Sequence, residues 1–327
     1  MFYSLVIAVL NRPDEVRECL DSLTLQTYKQ FEVLIVDGSQ DDALKLLVMG
    51  FAEKLDIKYF FIKGLGPGES RNYGCEQAKG DFLVFLDSDC IIPAKYLEIV
   101  ENALNVNPLD AFGGPDAAHE SFTPIQKAIS YTMTSIFTTG GIRGKKRRIG
   151  QFHPRGFNMG ISRKVFEVTH GYSSLRAGED IELSMRIIRA GFKTGLIPEA
   201  YVYHKRRTTL KKFFRQVYRF GVARINIYKL YSNELKVTHF FPAAFLIYCV
   251  IMVLSLFFLQ DLFELMADFL CFYILAIFID SSIKNKSIYI GFLSIVTTFI
   301  QLFGYGWGFL KNFWSRIVMK DSNGVKI

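Results

Sequence analysis

Two aspartates separated by a single residue are the most chemically suggestive feature of this 327-residue sequence. Asp87 and Asp89 follow a run of apolar residues, 82–86, that is too short for a typical helix. Such a run is typical of a strand buried on both faces of a parallel sheet. Open α/β sheets bind ligands outside the carboxyl ends of such strands. Carboxylates there suit a divalent metal ion and the phosphates it carries, although Asp-Ser-Asp is also common in surface turns.

Polar residues also end two earlier strand-like segments. The apolar segment 4–10 is followed by Asn11, and the segment 31–36 is followed by Asp37. If these strands are parallel, their polar ends meet the two aspartates at one edge of the sheet and form one pocket. Asp37 also fits a simple turn, because Asp-Gly-Ser is favourable turn chemistry.

A glycine-rich loop, 64–72, follows a third predicted strand at 57–62 and leads into a helix. The loop lacks the Gly-Lys-Ser/Thr of a Walker A motif, so it is weak evidence for phosphate binding by itself. Arg71, at the start of the helix, strengthens that interpretation. The alternation of strands and helices through the first 90 residues predicts an α/β fold with a doubly wound, mostly parallel central sheet.

The composition changes sharply along the chain. Half of the residues are hydrophobic and the mean hydropathy is +0.20. The excess is concentrated in apolar runs at 240–260, 262–279 and 288–310, each near the length needed to span a membrane. The second run is weakened by Glu264 and Asp268. We therefore predict an α-helical membrane domain with two or three spans. If there are two, one of the three apolar runs is an interfacial or re-entrant segment.

Basic residues crowd the stretch before the first apolar run and contribute to a formal net charge of +8. They are Lys205, Arg206, Arg207, Lys211, Lys212, Arg215, Arg219, Arg224, Lys229 and Lys236. Basic residues that flank a span face the cytoplasm, so the first 239 residues are expected on the cytoplasmic side of the inner membrane. A nucleic-acid partner is not expected, because this charge lies beside membrane segments and no nucleic-acid-binding motif is present.

Two further sequence features bear on function. The five cysteines show no metal-ligand spacing, which disfavours a zinc site or a disulfide framework. The segment 140–148 is glycine-rich and strongly basic. It is either a solvated loop, or a lid or contact for anionic lipid headgroups or a lipid diphosphate acceptor.

Taken in order, several motifs resemble those of GT-A-fold glycosyltransferases of family 2. The matching segments are 37–39, 71–72, 87–89, 156–163, 171–172, 178–186 and 198–204. The resemblance extends over roughly two thirds of the chain, residues 3 to 224. The chain departs from the family pattern at Ala8 and Leu10, where proline and an aromatic residue are common, and at Val36, where a second aspartate often stands. A uridine nucleotide is favoured for the donor, with guanosine and thymidine open.

The resemblance implies a role for each candidate residue. It implies a Mn²⁺ or Mg²⁺ ion on Asp89, with Asp87 nearer to the ribose or sugar. His204 would complete the metal shell or contact phosphate, or it is a histidine held by another buried partner. Asn11, Asp37 and Arg71 would line the nucleotide pocket. Asp180 would be the catalytic base of an inverting transfer, with Glu179 holding acceptor or sugar; the alternative is that Asp180 caps the following helix.

The segment 216–220 resembles the QxxRW element of processive synthases, with phenylalanine in place of tryptophan. Gln216 and Arg219 are the candidate acceptor or product contacts. Leu210, Val217 and Ile225 share one helical face with other apolar residues, which predicts a helix lying on the membrane surface or packed on the domain.

These predictions define four regions and one function. The regions are a GT-A catalytic domain over 1–205, a basic interfacial helix region over 206–239, membrane helices over 240–310 and a basic tail over 311–327. The predicted function is transfer of a sugar from a nucleotide diphosphate to a hydroxyl of a lipid-linked or polysaccharide acceptor at the membrane. A processive polysaccharide synthase, or an inactive membrane scaffold on the same fold, is the alternative.

Overall fold

The computed structural model describes residues 1–139, 152–175 and 177–321, which divide into two units. The first unit comprises Met1–His119 and the described part of Lys145–Lys205. The second comprises the described residues from Glu120 to 139 and from Arg206 to 321. The basic segment 140–148 lies outside the described residues.

The first unit is built on two sheets, and the central strands of the larger sheet bury both of their faces. In chain order the strands are β1 (Tyr3–Val9), β2 (Phe31–Asp37), β3 (Ile57–Phe61), β4 (Phe82–Asp87), β5 (Cys90–Ile91), β6 (Ala111–Gly113), β7 (Asp116–Ala117), β8 (Asn158–Ser162), β9 (Thr194–Leu196) and β10 (Val202–His204). The larger sheet has the order β3-β2-β1-β4-β8-β6-β9, and the smaller has the order β5-β10-β7. Strands β1 to β4 pair in parallel, whereas β8 runs antiparallel to both of its neighbours. The predicted mostly parallel sheet is confirmed.

Helices cover both faces of the larger sheet. They are α1 (Pro13–Thr24), α2 (Leu44–Met49), α3 (Pro67–Gln77), α4 (Tyr96–Val106), α7 (Arg163–Thr169) and α8 (Glu179–Arg189), while α5 (Pro124–Thr134) and α6 (Ile136–Thr139) belong to the second unit. Alternate residues of β1 enter different cores: Leu5 packs with Leu20 of α1, whereas Val6 packs with Leu183 of α8. This two-sided burial explains why the strand sequences are largely apolar rather than alternating between apolar and polar residues.

The second unit is helical. Its remaining helices are α9 (Leu210–Leu230), α10 (Phe241–Phe258), α11 (Gln260–Asn285) and α12 (Ile288–Phe313). The predicted 1–205 domain differs from the first unit because α5 packs elsewhere: Ile129 and Met133 share an apolar core with Phe213 and Val217 of α9. The buried face of α9 includes Phe213, while Phe214 is 40% exposed.

Helices in the described C-terminal part are long and apolar enough to cross a membrane. The candidate segments are Phe241–Phe258, Gln260–Asn285 and Ile288–Val318. The second extends well beyond the predicted 262–279, and the third continues past residue 310, where the membrane region was predicted to end. The expectation of spanning-length helices after the α/β domain is confirmed.

Candidate active site

The ends of β2, β1 and β4 lie side by side, since these strands are adjacent and parallel. Asp37 ends β2 and is fully buried. Its carboxylate accepts hydrogen bonds from the backbone N–H of Ser39 at 2.9 Å and from the Tyr59 hydroxyl at 2.7 Å. Asn11 follows β1 with φ 52°, and its backbone N–H donates to Ser39 Oγ at 2.9 Å. Asp37 therefore fixes the loop between two strand ends through Ser39.

Arg71 is a buried cation between two groups of carboxylates. Its Nη2 lies 2.7 Å from Asp87 Oδ1, and its Nη1 lies 3.5 Å from Glu179 Oε1. The guanidinium also lies over the Tyr172 ring, 5.1 Å from its centroid. Burial alone would lower the pKa of Arg71, but Tyr172, Asp87 and Glu179 together raise it. One arginine thus connects the end of β4 with the start of α8.

Tyr172 is held in place beneath Arg71 by the residue that follows Arg71 in sequence. Asn72 donates to the Tyr172 carbonyl at 2.8 Å and accepts from the Tyr172 N–H at 2.7 Å. The chain reaches this position through Gly171 with φ +70°, a conformation that glycine adopts without strain. The motifs 71–72 and 171–172, distant in sequence, are therefore two halves of one structural unit.

Glu179 and Asp180 occupy the first turn of α8, which begins after Gly178 with φ 81°. Asp180 Oδ1 accepts from the Ile181 N–H at 2.8 Å, and Oδ2 accepts from the Gly156 N–H at 3.3 Å. Burial, followed by the nearby charge of Asp180, raises the pKa of Glu179, and Arg71 opposes this shift. A Cβ built on Gly156 would lie 3.3 Å from Asp180 Cβ and 3.6 Å from Arg71 Cζ, so the backbone at Gly156 forms one wall of the site.

Asp89 and His204 form a second polar group beside Asp87. His204 Nε2 lies 3.1 Å from Asp89 Oδ1 and 3.8 Å from Asp87 Oδ2. The juxtaposition follows from strand pairing, because β10 is antiparallel to β5 with His204 opposite Cys90, and the Lys205 N–H donates to the Asp89 carbonyl at 2.9 Å. The His204 ring stacks on Phe157 at 5.1 Å.

The donors in this group fit a hard or borderline divalent ion. Asp89, Cys90 and His204 each have a potential ligand atom within 4.8 Å of the others. Carboxylate oxygen and imidazole nitrogen suit Mn²⁺, whereas a thiol favours softer metals. Cys90 Sγ is turned toward the Phe157 carbonyl at 3.8 Å. Asp89 with His204 is therefore the better-matched pair for the ion expected from the sequence.

The remaining predicted site residues lie on α9 in the second unit. The Gln216 side chain is half-buried and Arg219 is exposed. Their expected contact with acceptor or product remains a prediction.

Comparison with known proteins identifies the family. The sequence profile of Glycosyl transferase family 2 matches residues 4–169, half of the chain. The chain belongs to glycosyl transferase family 2. The chain is therefore a glycosyltransferase with a GT-A-like domain, as the sequence motifs predicted.

Individual relatives of this family 2 glycosyltransferase agree with that assignment. Glycosyltransferase AglE of Haloferax volcanii is 25% identical over 251 residues, 72% of this chain and 77% of that protein. An uncharacterized glycosyltransferase of Rickettsia conorii is 41% identical over 97 residues, which are 29% of this chain and 16% of that longer protein. Among solved structures, the mannosyltransferase PcManGT from Pyrobaculum calidifontis, in complex with GDP-Man and Mn²⁺, aligns with TM-score 0.62 at 16% identity, covering 90% of this chain and 86% of that one.

Sequence reasoning missed Arg12, which contacts the predicted metal ligand. Its Nη1 forms an ion pair with Asp89 Oδ2. Burial works to lower the pKa of Arg12, but the charge of Asp89 and the hydrogen bond to it, together with the charges of Glu15 and Asp87, raise the pKa above its usual value. Its position in the sequence could have indicated this contact. Arg12 directly follows Asn11 at the end of β1, and β1 pairs with β4, the strand that precedes Asp89.

Replacing Arg71 with methionine is expected to destabilise the protein by about 3 kcal/mol, because it removes a buried cation and leaves the partly buried carboxylates of Asp87 and Glu179 without their partner. That loss corresponds to a fall in Tm of roughly 5–10 °C. A carboxyl group whose pKa is raised in the folded protein costs stability when ionised, and the cost disappears as pH falls through that pKa. Since Arg71 restrains the rise at Glu179, the Tm deficit of Arg71→Met should be larger at pH 8 than at pH 5.

Arg17→Met, on the exposed side of α1, is the matched control, and its Tm should stay near that of the unmodified protein at both pH values. Thermal unfolding of the purified proteins in detergent measures the difference. An Arg71→Met protein as stable as the control would show that the carboxylates do not depend on this cation.

Proposed function

We propose that this protein is an inverting glycosyltransferase that moves a sugar from a nucleotide diphosphate to a hydroxyl of a lipid-linked or polysaccharide acceptor at the cytoplasmic membrane face. The observation that carries the proposal is the bridging position of Arg71, between Asp87 on one side and Glu179 on the other. The Arg71 side chain therefore links Asp87, the carboxylate expected beside the donor, to Glu179, which with Asp180 is expected beside the acceptor. A direct transfer needs donor and acceptor groups at such short range.

Asp180 is the proposed base. It would take the proton of the acceptor hydroxyl as the acceptor oxygen bonds to the anomeric carbon and the bond from that carbon to the diphosphate oxygen breaks. Attack from the face opposite the leaving group inverts the anomeric configuration. Two backbone N–H groups, those of Ile181 and Gly156, donate to its carboxylate and hold it in one orientation.

Asp89 and His204 are the proposed ligands of a divalent ion, and Asp87 the proposed contact to ribose or sugar. When bound, such an ion neutralises charge that develops on the leaving diphosphate. PcManGT, which shares the fold, is described in complex with Mn²⁺ and GDP-Man. Arg12 beside Asp89 supplies a further positive charge at the end of β1, where a diphosphate would lie.

The acceptor side of the proposal rests on the C-terminal half. Helices of spanning length make membrane attachment the natural state of the chain, and the basic residues before them favour the cytoplasmic side. A hydroxyl presented at a membrane surface is then the accessible acceptor. Gln216 and Arg219 are the proposed contacts to it.

The test is a donor screen with the full-length protein in liposomes made from bacterial lipid extract. UDP-, GDP- and dTDP-sugars are supplied with Mn²⁺, and released nucleoside diphosphate and glycosylated lipid are measured. We expect a single nucleotide class to react, with uridine favoured, and the product to have the opposite anomeric configuration by NMR. Retention of configuration would contradict the base mechanism, and elongated product chains would instead favour a processive synthase.

A further inference from the structure

The helix α12 is packed unlike the other two apolar helices. Of the most apolar stretch of each, 11% is buried in α10 and 6% in α11, against 44% in the segment Ile288–Val318. The buried residues of α12 are small or polar to an unusual degree, among them Thr297, Thr298, Gln301 and Asn312. A helix that faces lipid along its length exposes apolar residues and does not need a polar face buried against other helices. What covers α12 therefore decides whether it crosses the membrane.

The C-terminal half of α12 runs alongside α9. A Cβ on Gly304 would lie 2.7 Å from Val217 Cγ2, and one on Gly308 would collide with the Tyr218 carbonyl. Farther along, Asn312 Nδ2 donates to the Val222 carbonyl at 2.8 Å. Because the contacts advance along both helices together, α12 and α9 are parallel, with their backbones in close approach.

Helix α9 is too highly charged to cross a bilayer. Its 21 residues include Lys211, Lys212, Arg215, Arg219, Arg224 and Lys229. Each lysine or arginine at the centre of a span costs about 2.5–3.5 kcal/mol even on the most permissive scale. Since the C-terminal half of α12 follows α9 with backbones almost touching, a membrane would meet that half at the same depth as α9.

The middle of α12 is covered by a second helix that is too short to span the bilayer. Thr297 Oγ1 lies 2.7 Å from Thr132 Oγ1 and donates to the Ala128 carbonyl at 3.3 Å, both on α5. The 11 residues of α5 extend about 17 Å, well short of the roughly 30 Å of a hydrocarbon core. A spanning α12 would place this contact near the centre of the membrane.

Leu259 connects α10 to α11. These two helices contact α12 through their opposite ends, the N-terminal part of α10 and the C-terminal part of α11. Near the C-terminus of α11, Phe278 lies 4.7 Å from Phe292, and Ser281 Oγ lies 2.6 Å from Ser294 Oγ. Near the N-terminus of α10, Phe245 lies 5.6 Å from Phe299. The first part of α12 thus touches the end of α11 and its later part touches the start of α10, so α12 passes across the base of the hairpin.

We propose that α10 and α11 cross the bilayer as a hairpin, and that α12 lies in the membrane surface on the side from which α10 enters. Its exposed face, which includes Tyr289, Phe292, Val296 and Trp307, would rest on the boundary between lipid headgroups and acyl chains, as would the exposed Trp314 just after its end. Two crossings return the chain to the side of α9. This places Lys311, Arg316 and Lys320 with the other basic residues, as the charge bias requires. The inference does not depend on which sugar is transferred.

Tryptophan depth tests the orientation of α12, because the sequence contains two tryptophans: Trp307 lies on this helix and Trp314 directly follows its last residue. Three proteins each carry a single tryptophan: W307F retains Trp314, W314F retains Trp307, and V296W in the W307F/W314F background has its tryptophan at position 296. Quenching of their fluorescence is compared in liposomes of lipids brominated at shallow or deep acyl positions. V250W in the same background, at the middle of α10, is the deep control. If α12 lies in the membrane surface, lipids brominated at shallow positions should quench tryptophans at 296, 307 and 314 to a similar extent. Lipids brominated at deep positions should quench the tryptophan at 250.

A spanning α12 would place residue 296 within about 8 Å of the bilayer centre. Deep quenching of V296W to the level of V250W would therefore overturn the proposal. Equal shallow quenching of V250W would equally overturn it, because α10 would then not cross.

Cysteine labelling tests the number of crossings independently. In a C249S/C271S background, D261C marks the hairpin turn, K320C follows α12, and K54C marks the first unit; all three positions are exposed. A membrane-impermeant maleimide is applied to sealed vesicles of each orientation. We expect K320C and K54C to react from one face and D261C from the other. Reaction of K320C on the face of D261C would establish three crossings, and reaction of all three on one face would exclude a crossing hairpin.

Discussion

Asp180→Asn is expected to abolish sugar transfer while leaving nucleotide-sugar binding intact. Loss of a general base typically costs about 10²- to 10⁴-fold in rate. Asparagine keeps the size of the side chain and can still accept from the Ile181 N–H, so only the long 3.3 Å contact with Gly156 N–H is lost. The two aspartates that are expected to bind donor and metal are untouched. Turnover and nucleotide-sugar affinity, measured on the same protein, separate the chemical step from binding.

The matched control is Glu167→Gln, which removes one carboxylate from an exposed position on α7 of the same unit. Its turnover should equal that of the unmodified protein. Near-normal turnover of Asp180→Asn would show that another group takes the proton. Glu179, the neighbouring carboxyl with a raised pKa, would then be the candidate.

Removal of the divalent ion is the second large expected effect. EDTA should eliminate transfer, and Mn²⁺ or Mg²⁺ should restore it. In Asp89→Ala, excess Mn²⁺ should not restore activity, because the carboxylate 3.1 Å from His204 Nε2 is gone. We expect Mn²⁺ affinity, measured by titration calorimetry, to fall by more than about 100-fold, since even outer-shell partners of a metal contribute up to that amount.

Cys90→Ser separates the two possible donor sets around Asp89. Cys90 also lies close enough to contribute a ligand atom, but its sulfur is turned toward the Phe157 carbonyl. A serine keeps that polar contact, so the variant should bind Mn²⁺ as well as the unmodified protein. Strong loss of Mn²⁺ affinity in Cys90→Ser would assign the site to the thiol, and activity of the metal-free protein would remove the ion from the mechanism.

Local sequence was enough to predict the strands that position the candidate site. Residues 31–36 and 82–86 are buried, and burial on both faces leaves a largely apolar sequence, which Glu32 alone interrupts in these two segments. The polar residues that follow them mark the sheet edge for the same reason. The motifs predict Arg71, Asp87, Glu179 and Asp180 as neighbours, and the structure places them within one connected group of contacts.

Contacts between distant parts of the chain could not be predicted from the local pattern of residues. Arg12 reaches Asp89 through the parallel pairing of β1 with β4, and His204 reaches it through the antiparallel pairing of β10 with β5. Neither register can be read from either segment alone. The same limit applies to α12, whose mean hydropathy resembles that of a span although its glycines and threonines pack against other helices.

The packing of α5 also constrains how such a protein could be assembled from interchangeable parts. The chain leaves the sheet after β7, builds α5 against α9 and α12, and then returns to form β8. A single crossover between genes after Lys205 would pair α5 with foreign helices, leaving Ile129 and Met133 without their own partners. Exchange of the membrane half with its packing intact would therefore require three coordinated junctions, one on each side of the α5 segment and one after Lys205.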